Sequence, residues 1–262
     1  MLLESYKTFE PKNYLQEYYS NIDLENRSLL SFFAEAYKEI TPNSVMLEFS
    51  GGPSIYSLIT AASKVKEIHF SDFLKCNIEE VEQWKRFRHR NYLWTNFFRE
   101  ALTAEGKREV SVDDILDRED LLSQKLTNFL RCDAFNQQPL GEKYHQYYDV
   151  VAANFVAESI TSSLKTWEKI VENICSTLKP NGTLIMTAIQ GASFYCVDGQ
   201  RYPAVTVTPE NVLRTLNYQG FDTRNLLIQQ IPAEITNTTD KNYKGYEGML
   251  FIKATRFKDL DL

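Results

Sequence analysis

The chain predicts an α/β fold: a mostly parallel sheet with helices on both faces, a helical N-terminal segment and an antiparallel pair of strands at the C-terminal edge. Short apolar runs alternate with segments whose apolar residues recur at helical spacing, the pattern of βα units. The first such run, Val45-Met46-Leu47-Glu48-Phe49, ends on the glycine turn Ser50-Gly51-Gly52-Pro53. Two extended runs near the C-terminus, residues 226–231 and 248–255, are joined by a polar loop without a helical pattern, which suits an antiparallel edge pair.

Residues 11–40 read as helices, because Tyr14, Leu15, Tyr18 and Tyr19 share one face and Leu29, Leu30, Phe32, Phe33 and Tyr37 another. After the first strand and its turn, residues 54–62 look helical, with Pro53 at the first turn, where its missing N–H is no loss. Residues 66–72 form a second strand ending on Asp72, and a helix follows over 77–86. Later, residues 148–155 read as a buried strand, 164–178 as a helix, Lys179-Pro180-Asn181-Gly182 as a turn and 183–189 as another strand. The stretch between Trp84 and Leu130 is too long for an ordinary connection and carries Phe87, Tyr92, Trp94, Phe97 and Phe98. Helices covering the sheet are expected there, residues 110–126 forming a solvated amphipathic one. No repeat or flexible linker divides the chain, so one domain is expected over 1–262, with residues 1–40 as a helical lid and 84–130 as a helical insertion.

With 43% hydrophobic and 24% charged residues the chain is globular in composition, and no window approaches the roughly 18 apolar residues of a membrane span. Glu4 interrupts the opening before a signal-peptide core can form, so a cytoplasmic location away from membranes is expected. A net charge of -6 with scattered basic residues gives a phosphate backbone little to bind, so nucleic acid is not an expected partner. Cys76, Cys132, Cys175 and Cys196 form no C-x-x-C pair, and only His69, His89 and His145 could complete a metal site, so reduced thiols and no metal are expected. None of these histidines sits in a partner motif, which assigns them structural or surface places. The 15 Tyr and 16 Phe serve mainly as core, with stacking and cation–π contact as the use a pocket would make of them. A monomer is expected.

A glycine turn after the first strand of such a sheet lets a ligand approach the backbone beyond the carboxyl ends of the strands. Neither G-x-G-x-x-G nor G-x-x-x-x-G-K-[ST] is present, so the pyrophosphate and triphosphate cradles are missing and NAD, FAD and ATP lose ground. What remains is the turn itself and Asp72 at the tip of the second strand. An acidic side chain there can accept both ribose hydroxyls of a nucleoside, and turn N–H groups can meet a small carboxylate. S-adenosyl-L-methionine combines both features and carries no phosphate. The alternative for the glycines alone is a turn that only packs helix against sheet.

The sequence also resembles a known family. Tyr14-Leu15-Gln16-Glu17-Tyr18-Tyr19, Phe49-Ser50-Gly51-Gly52-Pro53-Ser54-Ile55-Tyr56, Ser71-Asp72-Phe73 with Asn77 and Trp84, Cys132-Asp133 with Gln138-Pro139-Leu140-Gly141, Leu178-Lys179-Pro180-Asn181-Gly182 and Glu247-Gly248 are its most specific pieces. Over residues 9–256 the chain is similar to the nicotinamide, phenylethanolamine and indolethylamine (thioether) N-methyltransferases, class I methyltransferases that use S-adenosyl-L-methionine on small molecules. The resemblance implies that Tyr14 and Tyr19 close over the methionine and sulfonium end of the cofactor, that Ser50, Gly51 and Gly52 line it and that Tyr56 contacts the same end. It implies that Asp72 holds the ribose hydroxyls with Phe73 and Asn77 beside it, that Asp133 and Ala134 flank the adenine and that Asn154 borders the cofactor. Tyrosines over a sulfonium supply cation–π attraction and exclude water, and a carboxylate at Asp133 can accept the exocyclic amine of adenine.

Departures from the family are equally informative. Ser50 replaces the first glycine of the family's turn, so its backbone either keeps φ negative or takes on strain. Nicotinamide-type members place an acidic residue inside the fifth strand where this chain has Thr187, which removes the charge that a pyridinium or amide partner would meet. Phe155-Val156-Ala157-Glu158 matches a phenylethanolamine-type segment ending in glutamate, which makes Glu158 the candidate for the substrate amine. Its bland alternative is a carboxylate at a helix N-terminus, followed by Ser159 and Thr161 as caps. Tyr195 and Tyr246 would complete an aromatic acceptor pocket, with plain packing as their alternative.

Methyl transfer from a sulfonium is an in-line displacement, so orientation and water exclusion supply most of the acceleration and a strong base is not obligatory. The function expected is an S-adenosyl-L-methionine-dependent methyltransferase acting on a nitrogen of a small amine or N-heteroaromatic molecule, with Glu158 and Tyr14 as candidate catalytic residues. O- or S-methylation on the same fold and cofactor binding without catalysis are the alternatives.

Overall fold

The computed structural model describes residues 6–88, 92–240 and 243–257. They belong to two compact units, residues 11–131 and residues 1–10 together with 132–262. His89 lies outside the described residues.

The first unit contains α1 (Pro11–Tyr19), α2 (Leu24–Ala36), β1 (Val45–Glu48), α3 (Leu58–Ala61), β2 (Glu67–Asp72), α4 (Lys75–Phe87), α5 (Thr95–Ala104), α6 (Val112–Lys125) and β3 (Leu126–Arg131). Its strands run parallel in the order β3-β2-β1. Local chemistry sets the helix starts. The Asp23 side chain accepts the Asn26 N–H at 2.8 Å ahead of α2, and Ser111 with Asp114 forms a capping box ahead of α6. The Arg118 guanidinium binds both Glu105 oxygens at 2.7 Å and the Ile59 carbonyl at 3.0 Å, fastening α6 to the end of α5 and to α3.

Two predictions for this unit need correction. The helix expected over 54–62 is the single turn α3, because Pro53 lies ahead of buried turn residues, Ser54 to Ser57, and not in a first helical turn. In the stretch from Trp84 to Leu130 the described residues hold the end of α4, a 3-10 turn at Tyr92–Trp94, α5 and α6, and the stretch ends in the strand β3. Only Leu126 of β3 is fully buried, so the strand lacks the apolar alternation that would announce it.

The second unit contains β4 (Tyr148–Asn154), α7 (Leu164–Cys175), β5 (Leu178–Gln190), β6 (Phe194–Val197), β7 (Gln200–Pro203), α8 (Pro209–Tyr218), β8 (Leu227–Pro232) and β9 (Gly248–Thr255). The strand order is β4-β5-β9-β8; β4 and β5 are parallel, and β9 runs antiparallel to both of its neighbours. The expected antiparallel edge pair is therefore β8 and β9. A 3-10 turn at Tyr6–Thr8 belongs to the same unit, and β6 and β7 form a separate hairpin.

The turn expected at Lys179-Pro180-Asn181-Gly182 is a bulge inside β5. The helix before it stops at Cys175, Asn181 takes φ 62°, and the pairing register slips between Tyr148 and Val150. Gly182 fits because a Cβ there would lie 2.6 Å from the Leu178 side chain.

Candidate active site

In the first unit the loop after β1 and the end of β2 are hydrogen-bonded into one piece. Gly51 N–H donates to the Ser71 carbonyl at 3.1 Å, and Gly52 N–H donates to Asp72 Oδ2 at 2.9 Å. Asp72 Oδ1 accepts from Leu74 N–H at 2.8 Å and from Asn77 Nδ2 at 3.0 Å. Asp72 is 5% exposed, and burial pushes its carboxyl up to about 6 against these hydrogen bonds. The loop is tight where it meets the sheet: a Cβ on Gly51 would lie 2.5 Å from the Phe70 ring and 2.9 Å from Glu48 Cγ. Gly52, by contrast, has open space on that side and φ 63°. Ser50 has φ 51°, so of the two backbones open to it the strained, left-handed one is found.

The predicted tyrosines also meet. Tyr19 stacks on Tyr56 with centroids 5.1 Å apart and lies 5.8 Å from Tyr14. Burial first, then the neighbouring Tyr14 and Tyr56, holds the Tyr19 phenol neutral well above its ordinary range. Phe73 is half-buried and faces the Arg131 guanidinium at 5.1 Å.

In the second unit Asp133 Oδ1 accepts the Phe135 N–H at 3.0 Å, and the Ala134 carbonyl accepts from Asn173 Nδ2 at 2.9 Å. Asn154 ends β4, and its Oδ1 accepts from the fully buried Thr187 hydroxyl at 3.2 Å. Glu158 is 1% exposed; it accepts from Ile189 N–H at 3.0 Å and from the Ser159 hydroxyl at 3.4 Å. Burial pushes its carboxyl up to about 7. The helix-terminal alternative for Glu158 fails, because α7 starts at Leu164 with Ser163 as its cap, while Thr161 accepts the Ser163 N–H.

Tyr246 is buried with Ile189, Ala192, Ala204 and Ala233, and Phe155 and Tyr195 pack on this cluster. Three residues here carry no candidate role in the sequence reading. Phe155 follows β4 with φ 55°, a rare backbone for a bulky side chain. The Tyr6 hydroxyl donates to the Ser159 carbonyl at 3.0 Å and lies 3.0 Å from the Tyr195 hydroxyl. Tyr202 stacks on Tyr195 at 5.1 Å and contacts Tyr6 at 5.1 Å. A lone aromatic outside any motif reads as packing, and Tyr6 becomes distinguishable only once β6 and β7 are placed. Of the two described histidines, His69 is buried beside Asn128 and His145 is exposed, as expected of structural and surface residues.

The fold is that of known methyltransferases. A structure described as a DhpI-SAM-HEP complex aligns with a TM-score of 0.58 at 13% identity, covering 97% of each chain. Magnesium protoporphyrin IX methyltransferase from Synechocystis PCC 6803 with bound SAM aligns with a TM-score of 0.56 at 14% identity, covering 97% of this chain and 94% of the other. The mostly parallel strands with helices and an antiparallel edge pair are the fold of class I methyltransferases. Residues 2–257 match the NNMT/PNMT/TEMT family, and the chain belongs to that family. Human phenylethanolamine N-methyltransferase is 26% identical over 249 residues, covering 90% of this chain and 86% of its own. Human nicotinamide N-methyltransferase is 26% identical, covering 95% and 94%, and rabbit (Oryctolagus cuniculus) indolethylamine N-methyltransferase is 27% identical, covering 97% and 95%.

The residues present fit the sugar of that cofactor. Asn77 Oδ1 is buried and finds no hydrogen-bond partner among the described residues, and Asp72 Oδ2 accepts the Gly52 N–H on one side. A buried amide oxygen beside a carboxylate is an acceptor set that a pair of hydroxyls can satisfy. No helix among the described residues is long and apolar enough to cross a membrane.

Proposed function

We propose that this enzyme methylates a nitrogen of a small amine or N-heteroaromatic molecule, and that the cofactor and acceptor are held by the two groups of residues described above. The observation that carries the reading is Glu158. A carboxyl buried to 1% exposure, raised to about 7 and bonded to Ile189 beside the Phe155, Tyr195 and Tyr246 cluster, is chemically matched to an ammonium or to the proton an amine must lose. The relatives named for amine and pyridine substrates support the same choice.

Bound S-adenosyl-L-methionine supplies an electrophilic methyl group on a sulfonium. In this reading Ser50, Gly51 and Gly52 line its amino-acid end, with Tyr14, Tyr19 and Tyr56 forming the aromatic cover, and Tyr14 is the catalytic candidate among them. Asp72 and Asn77 receive the ribose hydroxyls with Phe73 beside them, Asp133 and Ala134 flank the adenine, and Asn154 borders the cofactor. Glu158 orients the acceptor nitrogen and takes its proton, which frees the lone pair for attack. Tyr195 and Tyr246 give the acceptor an apolar, aromatic wall, and Thr187 sets Asn154. Because Glu158 is covered, acceptor entry requires displacement of the side chains above it. A net charge of -6 and four free thiols support a cytoplasmic protein that does not bind nucleic acid, and we place it there as a monomer.

The test is calorimetric titration with S-adenosylhomocysteine, with NADH as control, followed by an acceptor screen across amines, N-heteroaromatics, phenols and thiols. One-to-one binding of S-adenosylhomocysteine alone and turnover confined to nitrogen acceptors is the expected result. Turnover only of phenols or thiols would overturn the nitrogen assignment, and no binding would overturn the cofactor residues.

A further inference from the structure

We propose that Trp94 is a positioning residue for the methyl donor: it holds the Tyr19 ring in place beside Tyr56, so that the aromatic cover of the sulfonium depends on a residue of the helical insertion. The proposal rests on the reading of Tyr19 as part of that cover. Alone, α1 could not hold Tyr19 still. The helix is nine residues long, below the roughly 12 to 15 at which an isolated helix is even marginal in water. Its buried residues are Pro11, Leu15 and Tyr19, so packing sets its place, and Tyr19 is the largest of the three.

Rings wall Tyr19 in. Tyr56 stacks on it at 5.1 Å, Trp94 lies 5.4 Å away at 48°, Phe97 lies 5.7 Å away at 58° and Tyr14 lies 5.8 Å away. Tyr56 is 4% exposed, Trp94 and Phe97 are 1% exposed, and the last two meet edge-on at 5.2 Å. Side chains in a close-packed interior have little room to turn, so these neighbours fix the tilt of the Tyr19 ring as well as its position. Trp94 is the member of this group that its own helix does not ask for. It stands at the N-cap of α5, where Ser, Thr, Asp or Asn would bond a free backbone N–H, and its side chain makes no such bond. What tryptophan supplies there is contact with Tyr19 and Phe97. The insertion, expected to cover the sheet, therefore also braces the end of α1.

A ring attracts a cation through its face, so the attraction depends on the angle at which the ring is held. S-adenosyl-L-methionine carries a cationic sulfur and S-adenosylhomocysteine a neutral one. A misplaced Tyr19 therefore changes the preference between the two ligands, whereas a general loosening of the fold weakens both alike. The test is calorimetric titration of the full chain with each ligand, without an acceptor. In Trp94→Leu, affinity for S-adenosyl-L-methionine should fall about threefold to tenfold further than affinity for S-adenosylhomocysteine. Trp94→Phe keeps a ring in the wall and should hold the ratio within about twofold of the natural protein. Phe97→Leu opens the same wall and should shift the ratio in the same direction, so the test does not depend on one variant folding. In a Tyr19→Leu background, Trp94→Leu should change the ratio by less than about twofold, because Trp94 acts through Tyr19. An unchanged ratio in Trp94→Leu, or an undiminished effect in the Tyr19→Leu background, would overturn the proposal and leave Trp94 as packing. An unchanged ratio in Tyr19→Leu alone would overturn the reading of Tyr19 and the proposal with it.

Discussion

Asp72 in the unit of residues 11–131 and Glu158 in the other unit are both buried carboxylates, at 5% and 1% exposure, and burial raises both, to about 6 and about 7. They are held differently. Asp72 accepts from Gly52, Leu74 and Asn77, so it braces the glycine loop to the start of α4. Glu158 accepts one good bond from Ile189, one from its own backbone and a longer one from Ser159, fewer fixed donors than Asp72 has. The backbone beside each is also strained, at Ser50 and at Phe155. A carboxylate held by several of its own backbone and side-chain donors fixes the shape of its loop as well as any ligand it meets, and one with fewer fixed donors is freer to exchange a proton.

The sharpest way to break that contrast is Glu158→Gln. The amide oxygen can still accept from Ile189, so the fold should persist, while turnover of an amine acceptor falls by roughly a hundredfold or more, the usual loss with a general base. The natural enzyme should gain activity as pH rises through about 7, and the variant should lose that limb. Affinity for S-adenosylhomocysteine should stay within about twofold; a parallel loss of cofactor affinity would erase the division between the two carboxylates. Asp72→Ala should do the reverse. It strands three donors bonded to a charged group, so cofactor affinity should fall about tenfold to a hundredfold and the melting temperature should drop as well. Unchanged melting would mean that Asp72 does not brace the loop.

The cofactor half was far more legible in the sequence than the acceptor half, for a physical reason. Gly51 is imposed by a close approach to Phe70, and Asp72 by the end of a strand, so both are constraints on neighbouring backbone that leave fixed residue types at fixed spacing. Glu158 with Phe155, Tyr195 and Tyr6 come from three separated segments, and their meeting depends on how β5, β6 and β7 are placed. Residue 50 was legible only as a choice between relaxed and strained backbone. β3 was missed because an edge strand rich in Thr, Asn and Arg has no apolar signature. The bulge in β5 looked like a turn, since Pro180-Asn181-Gly182 has the same local chemistry in either setting.

Proton linkage gives the contrast a second reading. The Glu158 carboxyl stands at about 7 in the folded chain against an ordinary 4.5, so between those values the folded state holds more protons than the unfolded one. Stability should therefore fall as pH rises across that window and level off above it. Glu158→Gln removes the effect and should gain about 2 to 4 kcal/mol on the natural protein between pH 5 and pH 8, read from denaturant melts at each pH. Parallel curves would return Glu158 to an ordinary carboxyl.

Within the loop, Gly51→Ala and Gly52→Ala separate crowding from backbone shape. The first drives a methyl group into Phe70 and Glu48 and should cost about 1 to 3 kcal/mol. The second meets open space and pays only the left-handed conformation, roughly 1 to 2 kcal/mol. Equal losses would show that the loop relaxes away from β2.

The smallest expected effect lies at Tyr6→Phe. The ring contacts with Phe9 and Tyr202 remain, and only the hydroxyl that joins the Ser159 carbonyl to Tyr195 is lost. That should lower stability by about 0.5 to 1.5 kcal/mol. Because Ser159 follows Glu158 and Tyr195 packs on the cluster proposed to hold the acceptor, the functional cost should fall on one side alone. KM for an amine acceptor should rise by about twofold to fivefold, with S-adenosylhomocysteine affinity unchanged. A rise in acceptor KM without any change in cofactor affinity would extend the acceptor half to the N-terminal turn, and an unchanged KM would leave Tyr6 as packing for the β6–β7 hairpin.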